Sequence, residues 1–252
     1  MEKEILKDKV CVITGAGKGI GLETAKLFYR EGAKLALISR DPADLAGLKK
    51  AEGFADDRVL TYAGDVSEEK IVVDFIGQAL AMFGRFDVLV NNAGIRFRKP
   101  FLEIGTEEWQ KVINTNLGTV YLMCREVGRL MVKQKAGKII NLASIIGTLG
   151  LPDLSAYGAS KGGIITLTKC LAVEWAGHSI NVNVIAPGFC ETSYADNFKQ
   201  NKDLYQFTLD RTPQKKWGSA GDVANACLYL ASSMSDYVTG EVLSVDGGWS
   251  AW

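Results

Sequence analysis

The chain has 252 residues, with 29 basic and 29 acidic side chains and a formal net charge of zero. Charges are interspersed and no apolar run is long enough to span a membrane, which excludes a nucleic-acid surface, a polyanionic partner and a membrane segment. Glycine is abundant at 27 residues and proline scarce at 5, which favours tight strand–helix turns over disorder. The charged start, Met1 to Lys9, has no signal-peptide core, so a cytoplasmic protein is expected. Cys11, Cys124, Cys170, Cys190 and Cys227 are scattered, odd in number and without a C-x-x-C pair. They read as small hydrophobes rather than as disulfides or a metal site. His178 is the single histidine, too few for a metal cluster, and reads as a solvated loop residue.

Lys9 to Thr14 is a short β-branched run ending in glycines, the pattern of a buried strand. Gly19 to Glu31 follows as a helix closed by Gly32. Lys34 to Ser39 is a second strand, Asp41 to Lys50 a helix, and Arg58 to Ala63 a third strand. Ser67 is expected to cap the next helix, with Glu68 and Glu69 in its first turn, and that helix runs to Gly84. Phe86 to Val90 is a fourth strand. Thr106 to Lys133 is a long helical region interrupted near Asn114 to Gly118, and Lys138 to Ala143 a fifth strand. Leu154 to Trp175 is helix, Ile180 to Ile185 a sixth strand, and Ser219-x-x-Asp222 a capping-box start to a helix reaching Leu230. Glu241 to Val245 is a seventh strand. Near-continuously apolar strands alternating with helices predict a parallel sheet covered on both faces, in one domain over 1–252. Pro187 to Gly218 reads as the one long irregular stretch, hence a substrate loop or lid.

Three stretches carry chemistry. Between the first strand and first helix, Gly15, Gly17, Gly19 and Gly21 flank Lys18 and Ile20. Glycines there let backbone N–H groups approach a pyrophosphate, although the strict G-x-G-x-x-G spacing is not met. The second strand ends in Ser39-Arg40, with no carboxylate to bond a ribose 2′-hydroxyl. Arg40, the Ser39 hydroxyl and Lys18 suit a 2′-phosphate, so NADP is expected over NAD, with Asp41 as a nearby counterweight. Tyr157 and Lys161 fall one turn apart on one helical face. A fixed ammonium stabilises a phenolate and brings the phenol toward a useful acid–base range. With eight tyrosines in the chain, an accidental Tyr–Lys pair is unremarkable, so the pair gains weight from its setting. Ser144, at the end of an apolar strand, could hold a substrate oxygen against the tyrosine.

Taken together, Thr14-Gly-x-x-x-Gly-x-Gly21, Asn91-Asn-Ala-Gly94, Ser144, Tyr157-x-x-x-Lys161 and Pro187-Gly188 resemble, in order and spacing, the motifs of the short-chain dehydrogenase/reductase family. The resemblance spans essentially the whole chain and implies a Rossmann-type doubly wound sheet of seven parallel strands. It implies that Tyr157 is the general acid in ketone reduction and the base in alcohol oxidation. Lys161 would lower the tyrosine pKa and hold the nicotinamide ribose, and Ser144 would bond the carbonyl oxygen. Asn116 would support a water-mediated proton relay, with Asn114 a surface decoy. Asp65 and Val66 would contact adenine. Asn92, Ala93 and Gly94 would flank the adenosine ribose beside a partly structural Asn91. Pro187, Gly188, Cys190 and Thr192 would bind the carboxamide; Cys190 stands where the family usually has Ile or Val.

The resemblance extends to two substrate classes: sugar-acid oxidoreductases of the gluconate 5-dehydrogenase type and 3-oxoacyl-carrier-protein reductases. Arg96, Arg98 and Lys99 lie after the fourth strand, where a carboxylate could be gripped, and Arg96 is the candidate substrate contact. Trp217-Gly218 also resembles the sugar-acid group. A carrier protein is acidic, and Arg125, Arg129, Lys133 and Lys135 offer it only scattered charge, so a small keto-sugar acid is preferred over the carrier-protein or broad ketone alternatives. A non-catalytic nucleotide-binding regulator is the reading outside the enzyme class. A homotetramer is expected, pairing the helices of Thr115–Lys133 and Leu154–Trp175, with the tryptophans of the C-terminal tail packed against another subunit.

Overall fold

The computed structural model describes residues 4–192 and 198–251. Strand β1 (Val10–Thr14) leads into helix α1 (Gly19–Arg30) and β2 (Lys34–Ser39). Two short helices, α2 (Pro42–Leu45) and α3 (Leu48–Glu52), precede β3 (Val59–Ala63), α4 (Glu69–Phe83) and β4 (Val88–Asn91). Helix α5 (Thr106–Ile113) passes through a π-helical turn, Asn114–Gly118, into α6 (Thr119–Gln134). Then come β5 (Gly137–Leu142), α7 (Ser155–Trp175), β6 (Ile180–Pro187) and the two-residue β7 (Cys190–Glu191). Helix α8 (Lys202–Arg211), the short β8 (Gly218–Ser219), α9 (Ala220–Ala231) and β9 (Val242–Val245) complete the order.

Seven strands form one sheet in the order β3-β2-β1-β4-β5-β6-β9, every pairing parallel. The continuous apolar runs follow from this. Within β1, Val10 and Val12 join a core with α4, α6 and α7, while Cys11 and Ile13 join the opposite core with α1 and α9. Successive side chains point to opposite faces, and both faces are covered, so a polar side chain in a strand calls for a partner, as Asn91 Nδ2 finds in Asn141. Each fully buried aliphatic side chain stabilises the fold by about 1.5–3 kcal/mol. The strand order reverses between β1 and β4, which opens a crevice at the carboxyl ends of those strands.

Several local expectations need correction. Asp41 to Lys50 is not one helix: Gly47, at φ +73°, breaks it into α2 and α3, because the left-handed conformation ends a helical run. Ser67 is not the cap of α4. Glu68 holds that position, and Asp65 Oδ1 accepts the Ser67 N–H at 2.9 Å. Pro187 to Gly218 is not irregular throughout, since α8 lies within it and β7 pairs with β8; residues 193–197 of that stretch lie outside the described residues. Trp249 is not exposed. It is 1% accessible and packs with Ile145, Ile146 and Leu154 of its own chain, while Trp252 lies outside the described residues. Ser219 and Asp222 do form the capping box of α9. Among the described residues no helix is long and apolar enough to cross a membrane. Cys11, Cys124 and Cys227 are buried, Cys190 is half-buried and Cys170 is exposed.

Candidate active site

The crevice is built first by the turn after β1. Gly15 has φ +63°, and a Cβ on Gly21 would fall 2.2 Å from the Gly15 carbonyl oxygen, so α1 approaches the turn at a distance only glycine permits. Asn92 pins the same turn from β4: its Nδ2 donates to the carbonyls of Thr14 and Gly15, both at 3.0 Å. Thr14 Oγ1 accepts the N–H groups of Asn92 and Ala93, also at 3.0 Å. Helix α1 starts after Lys18 with no side-chain cap and no acidic residue in its first turn. Its first N–H groups are therefore presented to an anion. The residues fit a dinucleotide on this ground: an uncapped helix start behind a turn whose glycines keep side chains out.

A cavity of about 440 Å³, lined by Gly15, Lys18, Ser39, Arg40, Asp65, Val66, Ala93 and Gly94 among others, gathers the residues expected on the adenosine side. A second, of about 410 Å³, adjoins it and is lined by Lys18, Ile20, Asn92, Gly94, Arg96, Ser144, Tyr157, Lys161, Pro187, Gly188, Cys190 and Thr192 among others. The sequence-derived candidates thus gather on two neighbouring walls. Gly19, Gly21 and Asn116 line neither cavity; the glycines shape the turn. Asn91 is buried, with its Nδ2 donating to Asn141 Oδ1 at 2.8 Å. A larger cavity, about 890 Å³, opens at the amino-terminal ends of the strands and contains none of these residues. Its charges are mutually paired, as in Lys138 with Asp236 at 2.7 Å.

The catalytic candidates are held from the end of β5, the π-helical turn Asn114–Gly118 and α7. Ser144 is nearly buried just past β5, and its Oγ accepts the Ile146 N–H at 3.2 Å. A hydroxyl used as an acceptor still has its own proton to donate. Lys161 is buried, its Nζ donates to the Leu142 carbonyl at 2.8 Å and stands 5.8 Å from the centroid of the Tyr157 ring. Burial pulls the Lys161 ammonium down from 10.5 to about 8. Asn116 is fully buried in the π-turn. Its Nδ2 donates to the Ile95 carbonyl and to Ser160 Oγ, and its Oδ1 accepts the Ile95 N–H at 2.7 Å. These bonds fix Ile95 beside the cavity and leave one lone pair of Oδ1 available. Asn114 is exposed and accepts from Gln110.

Of the three cations after β4, Arg96 reaches the cavity wall, where its Cζ lies 5.1 Å from the Phe198 ring centroid and 5.9 Å from that of Phe189. Arg98 pairs with Asp153 at 3.6 Å and Lys99 with Glu108 at 2.7 Å.

Sequence reasoning missed three contributors. The Leu142 carbonyl that holds Lys161 is backbone and carries no residue signature. Phe189 and Phe198, which cluster with the Trp217 already singled out at centroid distances of 5.2–5.6 Å, come together from distant positions. The carboxylate beside Ser39 and Lys18 belongs to Asp44 rather than Asp41. Asp41 is occupied as the cap of α2, accepting the Ala43 N–H at 2.9 Å.

A family model described as enoyl-(acyl carrier protein) reductase matches residues 15–250. The chain is 40% identical over 245 residues to a 3-oxoacyl-(acyl-carrier-protein) reductase of Thermotoga maritima, covering 96% of this chain and 98% of the relative. It is 37% identical over 253 residues to a 2-dehydro-3-deoxy-D-gluconate 5-dehydrogenase of Pseudoalteromonas atlantica, covering 99% and 98%. Among solved structures, ElxO with NADP bound matches with a TM-score of 0.91 and 33% identity, covering 97% of this chain and 100% of that one.

Proposed function

We propose, for a chain that belongs to the short-chain dehydrogenase/reductase family of oxidoreductases acting on alcohols and ketones, the interconversion of a ketone and a secondary alcohol with NADP(H). The observation that carries this reading is the meeting of Ser144, Tyr157 and Lys161 on the wall of one cavity. The nicotinamide, when bound, supplies or takes the hydride.

The chain's own residues manage position and the proton. Ser144 donates its free hydroxyl proton to the substrate oxygen. Tyr157 gives its phenolic proton to that oxygen in reduction and takes it back in oxidation. Lys161, whose pKa of about 8 leaves it largely charged near neutrality, favours the phenolate and donates to the nicotinamide ribose. Asn116 has both Nδ2 protons engaged, and its Oδ1, which accepts one N–H, keeps a second lone pair for a water in a relay. Arg40 and Ser39 supply a cation and a hydroxyl for a 2′-phosphate, and the solved NADP complex of ElxO agrees with that choice.

A small keto-sugar acid is the preferred substrate, with Arg96 on its carboxylate. The 40% identity to a 3-oxoacyl-carrier-protein reductase favours a second reading. Against it, Arg125 is engaged by Glu69 and Glu126 and Arg129 by Glu126, which weakens any basic docking patch on α6. The test is kcat/KM for 5-ketogluconate, acetoacetyl thioesters and neutral cyclic ketones in wild type and Arg96→Ala. The keto acid should rank first and fall by about tenfold or more in the variant. Neutral ketones ranking first, unchanged in Arg96→Ala, would refute the carboxylate contact; thioesters ranking first would assign the second reading.

A further inference from the structure

The groups read as the seat of a 2′-phosphate already hold an anion. Asp41 caps α2 and Pro42 takes its first position, so Asp44 stands at the third, where a side chain can turn back past the helix start. Its Oδ2 accepts from Ser39 Oγ at 3.3 Å and lies 3.2 Å from Lys18 Nζ. The Asp44 side chain is 19% exposed against 63% for Lys18, so the carboxylate sits inward of its partner. A Cβ on Gly17 would fall 2.4 Å from Asp44 Cβ; the glycine turn is what admits the carboxylate. Asp44 also lines the adenosine-side cavity with Ser39, Arg40 and Lys18.

An anion in this place acts oppositely on the two dinucleotides. A 2′-phosphate must displace it from Lys18 and Ser39 or bear like-charge repulsion, whereas a 2′-hydroxyl can donate to it. We propose that Asp44 is a specificity-determining residue for the adenosine ribose: it holds Lys18 and Ser39 in the free protein, lowers the preference for a 2′-phosphate and keeps a 2′-hydroxyl cofactor usable. This rests on the reading of Ser39, Arg40 and Lys18 as the ribose-side residues.

Calorimetric titration of 2′,5′-ADP, 5′-AMP, NADPH and NADH into wild type, Asp44→Asn and Asp44→Ala separates the possibilities without any turnover. Asn keeps the shape and an acceptor for Ser39, and Ala removes both. In each variant the preference for 2′,5′-ADP over 5′-AMP should rise about tenfold, the size of one screened like-charge contact. An unmoved ratio in both would overturn the proposal, even in a protein that prefers NADPH. A wild type that binds NADH more tightly, with the ratio still rising in Asp44→Asn, would uphold Asp44 and refute the NADP reading instead.

Discussion

Lys161 is held charged at a buried position, donating to one backbone carbonyl, with its pKa lowered from 10.5 to about 8 by burial. Between those two values the unfolded chain keeps a proton that the folded chain has released, so stability rises with pH through that window; below about 8 the cost of the buried charge is constant. In Lys161→Met that rise should vanish. The unfolding free energy of wild type relative to the variant should improve by up to about 3 kcal/mol between neutrality and pH 10.5. Parallel pH profiles in denaturant titrations would show that the ammonium is solvated. The gathering of Ser144, Tyr157 and Lys161 on one cavity wall was legible in the sequence because it follows from side-chain identity at fixed spacing. Asp44 was not, since its reach to Ser39 depends on which residue caps α2, and Asp41 and Asp44 are equally acidic until that geometry exists.

At the level of elements, the strands were legible because burial on both faces leaves only apolar runs, and α9 because Ser219 and Asp222 carry its cap in their side chains. The interruption at Asn114–Gly118 was legible from weak helix formers. Its π-helical form was not, because it is fixed by the long-range grip of Asn116 on Ile95 and Ser160. Helix α8 escaped notice for a similar reason: Leu204, Tyr205 and Leu209 pack on Phe198 and Trp217, partners outside the helix. Helices α6 and α7 keep apolar side chains in solvent, with Tyr121 49% and Val173 83% exposed. Those faces are the ones expected to pair in a homotetramer, and burying such a patch removes an aggregation liability. Light scattering at micromolar concentration should read about four chain masses; the mass of one chain, 27.3 kDa, would refute the assembly.

For the whole molecule, alternation of strand and helix was enough to read the doubly wound class, since a parallel sheet needs a crossover after every strand. What alternation could not show is where the C-terminal stretch packs. Trp249, late in the chain, has its ring centroid 4.9 Å from that of Phe189, which lines the cavity, so this part of the tail, read as a subunit contact, instead packs within its own chain behind the cavity wall. The order reversal between β1 and β4 brings the glycine turn, the Asn92 segment and the Tyr157 helix to one crevice, and Tyr157 as proton donor is the claim on which the chemistry depends. The most direct measurement is ketone turnover with NADPH in Tyr157→Phe, paired with NADPH affinity by calorimetry on the same preparation. Removing one hydroxyl should cut turnover by about 10²–10⁴-fold and leave affinity unchanged; near-wild-type turnover with intact affinity would contradict the assignment.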